Sequence, residues 1–108
     1  MVTEVFEVRR LKLQTLLELL LGSKNVYFQP PESVRISYPC IIYSMNPSYV
    51  VKADNQTYIQ HYRFHLQHIY KDFGDSLIDK IPKYFMYCSF DNRNIVDSLY
   101  HDEYTIFF

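Results

Sequence analysis

Three sets of side chains hold the chemistry this sequence offers. His61, His65 and His68 fall at i, i+4 and i+7, the spacing that would stack three imidazoles on one helical face as a metal site. Cys40 and Cys88 are the thiols, with His101 as the base that either would need as a nucleophile. Asp91, Asp97, Asp102 and Glu103 form an acidic set near the end of the chain, the hard-oxygen type that takes a cation.

Each set depends on the element that carries it. Tyr62, Phe64 and Leu66 alternate with His61, Arg63 and His65, which is the period of a half-buried strand. On a strand His61 and His65 stand about 13 Å apart, at roughly 3.3 Å per residue, and His68 points to the other face. They cannot share an ion, and the histidines are expected to make solvent-facing or interface contacts. Both cysteines lie among large apolar residues, where a thiol packs as a small neutral hydrophobe. The acidic set matches no cation-loop spacing, so a solvated loop is expected. No metal, cofactor or catalytic residue is assigned.

Composition narrows the class further. The chain has 108 residues, 48% of them apolar, which is one small domain (residues 1–108) with enough apolar side chains for a core. Net charge is -1 with both signs mixed, giving no electrostatic footprint for nucleic acid or a membrane surface. No apolar run reaches the roughly 18 residues of a span, and "MVTEVFEVRR" lacks the signal-peptide pattern, so synthesis in the cytoplasm is expected. Two cysteines outside any CxxC pair fit that compartment. Gly is only 2 of 108, which excludes glycine-rich phosphate loops. Eleven tyrosines exceed what one small core hides, and tyrosine suits half-buried sheets and protein interfaces.

The elements follow from pattern and punctuation. Val2, Val5, Phe6, Leu13, Leu16, Leu17, Leu20 and Leu21 recur at helical spacing, with Thr3 as N-cap and Gly22 as stop. Val26 to Phe28 reads as a short strand. "QPPES" leaves it, because Pro30 and Pro31 cannot donate to a ladder. Cys40 to Met45 reads as a central strand, closed by a turn at Asn46-Pro47-Ser48. Tyr49 to Lys52 and Tyr58 to Tyr70 form a hairpin around Ala53 to Gln56. A short helix capped by Asp75 is expected to end at Pro82. Strands from Tyr84 and over "LYHDEYTIFF" flank a polar loop from Asp91 to Asp97. The fold class is α+β: an antiparallel sheet of four or five strands with a long N-terminal helix and a short second helix packed on it.

"VYFQPPES" with "YPCIIY" is the most specific part of a resemblance spanning Asn25 to Phe108. "ADNQTYIQHYRFHLQHIYKD", "YCSFD" and "DSLYHDEYTIFF" support it. Together these stretches resemble the tail terminator family of tailed bacteriophages, the tail completion or head–tail joining proteins. The chain departs from that family's pattern around the short helix, at Phe73-Gly74 and between Pro82 and "YCSFD". The resemblance implies a non-enzymatic subunit of a homohexameric ring at the head-proximal end of a long tail, within the virion. Its implied partners are other copies of itself, the major tail tube protein and the head connector or stopper protein, with DNA only passing through. Tyr27, Phe28, Pro30, Pro31, Tyr38 and Tyr43 are the expected subunit contacts, since proline-fixed backbone and amphipathic rings lower the ordering cost of an interface. Lys52, Asp54 and Asn55 mark a loop expected to face the lumen or the next ring; a free solvent loop reads equally well. Two alternatives stay open: a head-completion stopper or adaptor, and a small soluble enzyme or regulator.

Overall fold

The computed structural model describes residues 2–52, 60–85 and 87–108. Helix α1 (Val2–Leu21) is followed by strands β1 (Val26–Phe28), β2 (Cys40–Lys52) and β3 (Gln60–Tyr70). A 3-10 turn (Phe73–Asp75) and a one-turn helix α2 (Ile81–Tyr84) lead into β4 (Tyr87–Val96) and β5 (Leu99–Phe107). The five strands form one sheet in the order β1-β2-β3-β5-β4. The class is α+β, but the sheet is mixed: β1 runs parallel to β2, and the remaining pairs are antiparallel. Parallel pairing follows because the chain leaves β1 and must travel through residues 29–39 before starting β2 in the same direction. Among the described residues no helix is long and apolar enough to cross a membrane.

Helix α1 ends as its sequence dictates. Gly22 takes φ +81°, and its N–H donates to the Glu18 carbonyl at 2.9 Å, a left-handed C-terminal cap that glycine adopts without a Cβ clash. Thr3 lies inside the helix instead of capping it. Leu13, Leu17 and Leu20 are buried, with Leu16 and Leu21 partly so, while Leu11 and Leu19 on the outer face are exposed. The inward stripe meets Val26, Ile41, Tyr43, Tyr62, Phe64 and Leu66 in one core. Gln14 fastens the helix to the sheet: its amide donates to the Val26 carbonyl at 3.0 Å and its Oε1 accepts from the Tyr43 hydroxyl. The side chains of Val2, Val5 and Phe6 lie outside the described residues.

Three expected boundaries fall elsewhere. β2 does not turn at Asn46-Pro47-Ser48 but continues to Lys52, because a bulge between Met45 and Val50 takes up the extra residues, including a proline that cannot donate. β4 likewise continues through the expected Asp91–Asp97 loop, with a bulge between Phe90 and Asn92. The turn is only Asp97-Ser98, with φ +52° and +65°, the two-residue geometry that matches sheet twist. The short helix begins where it was expected to end. Pro82 occupies its first turn, where a missing N–H costs nothing, and Asp75 belongs to the preceding 3-10 turn without acting as its cap. Tyr84 is therefore helical, and the strand starts at Tyr87.

The alternation in β3 is as expected, and β5 alternates in the same way. Tyr62, Phe64 and Leu66 are buried with Tyr104 and Ile106 on the helix-covered face, and Phe108 packs against that core. The opposite face is polar, with His65 exposed and Arg63, His101, Glu103 and Thr105 half-buried. Leu17 is fully buried at the centre of the helix stripe. Leu17→Ala is expected to lower the unfolding free energy by about 2–5 kcal/mol in urea denaturation. Leu19→Ala, at a site 75% exposed, is expected to change it by about 0.5 kcal/mol or less.

Candidate functional site

Helix α1 covers only part of the sheet. The remaining part of the same face, on the C-terminal half of β3 and the facing ends of β5 and β4, is closed by the 3-10 turn and residues 76–80. There the packing is polar and aromatic. Asp102 on β5 is wholly buried and sits opposite Arg93 on β4. Arg93 forks onto it, with Nε 2.6 Å from Oδ1 and Nη2 2.9 Å from Oδ2, and the Tyr70 hydroxyl donates to Oδ2 at 2.7 Å. Bidentate guanidinium–carboxylate pairing is the strong form of this contact. Burial pushes the Asp102 carboxyl up, but Arg93 and Tyr70 together outweigh it and hold the group below its ordinary value. The guanidinium in turn lies 5.1 Å from the centre of Phe73 and 5.6 Å from that of Phe90, close enough for cation–π attraction.

His68 lies beside this pair, stacked on Tyr70 at 4.5 Å between ring centres. It is 1% exposed, and neither ring nitrogen has a hydrogen-bond partner. Burial drives its pKa down from 6.5 to about 4 despite the attraction of Asp102, so the ring is neutral at pH 7. His68 also lines a cleft of about 210 Å³ between the end of α1, Pro39 and residues 74–80. Its burial corrects the expectation of a solvent-facing histidine.

Ser76, His68 and Asp102 are the residue types of a nucleophile relay, but they are not wired as one. Ser76 Oγ accepts from Arg93 Nη2 and from the Ile78 N–H, both at 3.3 Å. Asp102 is taken by Arg93 and Tyr70, and His68 bonds to neither partner. What the cluster does is fix the C-terminal half of β3, the β4–β5 hairpin and the 3-10 turn against each other.

The other candidates are dispersed. Cys88 pairs with Ile106 on the helix-covered side, whereas His101 is on the opposite face, where Nδ1 contacts Gln67 at 3.3 Å. Cys40 is fully buried, and burial pushes its thiol up to about 11. Glu103 pairs with His65 at 3.2 Å on the polar face, Asp91 accepts from Ser89 on its own strand and from Thr105 on β5, and Asp97 sits in the hairpin turn. Among the described residues, no group of three His, Cys, Asp or Glu side chains is placed to hold a metal ion.

The expected contact residues divide. Tyr38 is 49% exposed, and Pro31 is exposed, while Tyr27 and Pro30 are half-buried. The Tyr27 hydroxyl accepts the Ser37 N–H at 3.3 Å and ties the two limbs of the proline segment together. Gln29, at φ +42°, bends the chain out of β1, and the Tyr38-Pro39 bond is cis. Tyr43 is a correction. It is fully buried beneath α1 with its hydroxyl on Gln14, so it belongs to the core of the chain and not to its surface. Phe28 packs on Tyr43 at 4.9 Å, with the Arg10 guanidinium 4.9 Å from its ring centre. Lys52 ends β2 opposite Gln60, and its side chain lies outside the described residues, as do Asp54 and Asn55.

No family model, no curated protein and no solved structure matches this chain.

The buried imidazole gives the fold an acid sensitivity of defined sign. Above pH 6.5 His68 is neutral both folded and unfolded. Below that value the unfolded chain takes up a proton that the folded chain refuses until about pH 4, so stability falls as pH falls between the two. The loss is expected to be on the order of 3 kcal/mol across that window. Chemical denaturation at pH 7 and pH 4 checks it, and His68→Leu should remove that part of the slope. The contribution of Asp102 is lost only at still lower pH, below the ordinary carboxylate value.

Proposed function

We propose that this chain is a bacteriophage tail terminator, a non-enzymatic subunit of a hexameric ring at the head-proximal end of the tail. In this reading the ring arrests growth of the tail tube and joins the tail to the head connector. Its partners are further copies of itself, the major tail tube protein and the connector or stopper protein. Its place is the head–tail interface of the virion, and DNA passes through its channel. The resemblance over Asn25 to Phe108 supplies the family and the sixfold ring.

The observation that carries the reading is the pair of unlike edges at the two ends of the sheet. One edge is β1, only three residues long, with the stiff segment 29–39 beside it. The other is β4, ten residues long, and no described strand pairs along its outer side. A strand edge of that length is a template for further pairing. Ile95 (67% exposed), Tyr87 (53%), Val96 (50%) and Phe90 (40%) add apolar area to it. An isologous dimer needs one self-complementary patch, whereas a ring needs two different patches on each subunit. Edges of different length and chemistry at opposite ends of one sheet meet that requirement. Tyr38 with Pro31 on the β1 side, and Ile95 on the β4 side, are the contacts we assign to neighbouring subunits. The loop carrying Asp54 and Asn55, next to Lys52, is assigned to the lumen or the next ring, where a lining without clustered cations would not trap DNA.

A phage lacking this gene should make DNA-filled heads together with tails that are abnormally long or fail to join. Electron microscopy of the lysate is the test. Normal-length tails joined to heads would refute the reading, and leaking heads with normal tails would point to the stopper alternative. Ile95→Asp and Tyr38→Asp should reproduce the knockout defect, because a charge buried unpaired in the ring contact is costly. Each variant subunit should keep its own unfolding midpoint, with a change of about 0.5 kcal/mol or less at these exposed sites.

A further inference from the structure

We propose that residues 34–38 of one copy of this chain pair as an added strand along the outer edge of β4 in the next copy. The inference deepens the ring reading above and rests on it for the second copy. The receiving edge is the stretch after the bulge, residues 92–96. It keeps an unbroken register with β5, and no described strand lies on its outer side. It contains no proline and no lysine, the residues that commonly blunt a sheet edge. Ile95 and Val96 are both exposed and stand on opposite faces, so an added strand finds apolar contact on each.

The segment that fits this edge lies at the other end of the sheet, beside β1. Arg35, Ile36 and Ser37 belong to no helix, turn or strand, and Val34, Arg35, Ser37 and Tyr38 are exposed. Among the described residues, the backbone of Arg35 and Ile36 makes no hydrogen bond to other backbone. The Ser37 N–H is turned to the Tyr27 hydroxyl. Successive N–H groups of an extended chain point to opposite edges, so Ile36 is the residue that offers its N–H and C=O outward. Val34, Ile36 and Tyr38 alternate with Arg35 and Ser37, the pattern of a strand with one apolar and one polar side. Charge selects the partner. Arg93 is neutralised by Asp102, which leaves Asp91 and Asp97 as the acidic groups bordering the receiving edge. Arg35 is the single charge in residues 34–38. A second β4 would bring the same two carboxylates, like against like, so the edge matches the Arg35 segment better than it matches itself. Pairing between opposite ends of the sheet is head to tail, the arrangement a ring requires.

The test adds an end-capped peptide of residues 32–39 to the isotope-labelled intact protein. If rings form unaided, the Tyr38→Asp variant, whose β4 edge is unchanged, takes its place. In NMR the backbone amides of residues 92–96 should shift saturably, with a Kd of about 0.1–1 mM for so short a strand. A peptide N-methylated at Ile36 loses the outward donor and should bind about tenfold more weakly, whereas one N-methylated at Ser37 should bind as the parent does. Arg35→Glu in the peptide should weaken binding about threefold. No saturable shift at residues 92–96, or equal effects of the two methylations, overturns the inference. In assembled rings the Ile36 amide should exchange with solvent more slowly than in the free chain. Rings in which Ile36 exchanges as fast as in the free chain overturn the inference and leave the ring reading intact. A chain that stays dispersed in sedimentation, with tube protein or without it, overturns the ring reading, and the peptide result then decides the edge pairing by itself.

Discussion

Asp102 is a carboxylate with no exposed surface, and much of the molecule is arranged so that it can stay charged. Taking such a group out of water costs several kcal/mol unless its oxygens are met by well-placed donors. Those donors come from two strands, and a third segment braces one of them. Tyr70 ends β3, Arg93 lies in β4, and Ser76 in the segment after the 3-10 turn shares Arg93 with the carboxylate. Phe73, Phe90 and Tyr100 then close over the guanidinium. Such a cluster is satisfied only when all its members are present, so it couples the hairpin, the turn and the end of β3 into one unit. It does for this half of the sheet what α1 does with leucines for the other half.

This division of cover leaves two surfaces with different chemistry. One broad face of the sheet is closed by α1 and by residues 72–85. The other is a polar array in which His65 meets Glu103 and His101 meets Gln67. The large apolar side chains left exposed lie mostly on β4, on the outer side of α1 and in the segment 29–39. The chain is self-sufficient in its core yet asymmetric at its margins, which is what the proposed ring would ask of each copy.

The parts legible from sequence alone were those with strict periodicity under one-sided burial. The leucine stripe of α1, Gly22 as its stop, and the alternation of Tyr62, Phe64 and Leu66 all carry that imprint. Tyr104 and Ile106 in β5 show it too. The illegible parts broke the period. Asn46-Pro47-Ser48 has turn chemistry, yet a bulge lets β2 pass through it. Asp91 to Asp97 is polar because β4 is an edge strand, and polarity there reads the same as a loop. Tyr43 looked like surface because tyrosine is amphipathic, and its hydroxyl in fact finds Gln14 on a distant helix. For the Arg93–Asp102 pair the sequence held half a signal. Asp102 keeps the inward phase of Tyr104 and Ile106, so a charged residue stood in a core position. Nothing local marked which cation would answer it.

The answer depends on the bulge between Phe90 and Asn92. Before it, Phe90 lies opposite Tyr104; after it, Arg93 lies opposite Asp102. The register therefore changes phase by one residue within a single strand, and inward-facing positions pass from even to odd numbers. If the same residues ran on from Phe90 without a bulge, Asn92 would stand against the buried carboxylate and Arg93 would face the other side of the sheet. The extra residue is thus tolerated because the bulge absorbs it. A substitution at Asp91 alters its contacts with Ser89 and Thr105, whereas deleting it would straighten the ladder and leave Arg93 opposite Asp102. A residue lost between Arg93 and Val96 would shift the pairs toward the turn, so the bulge and the Asp97-Ser98 turn are the places where this ladder has slack.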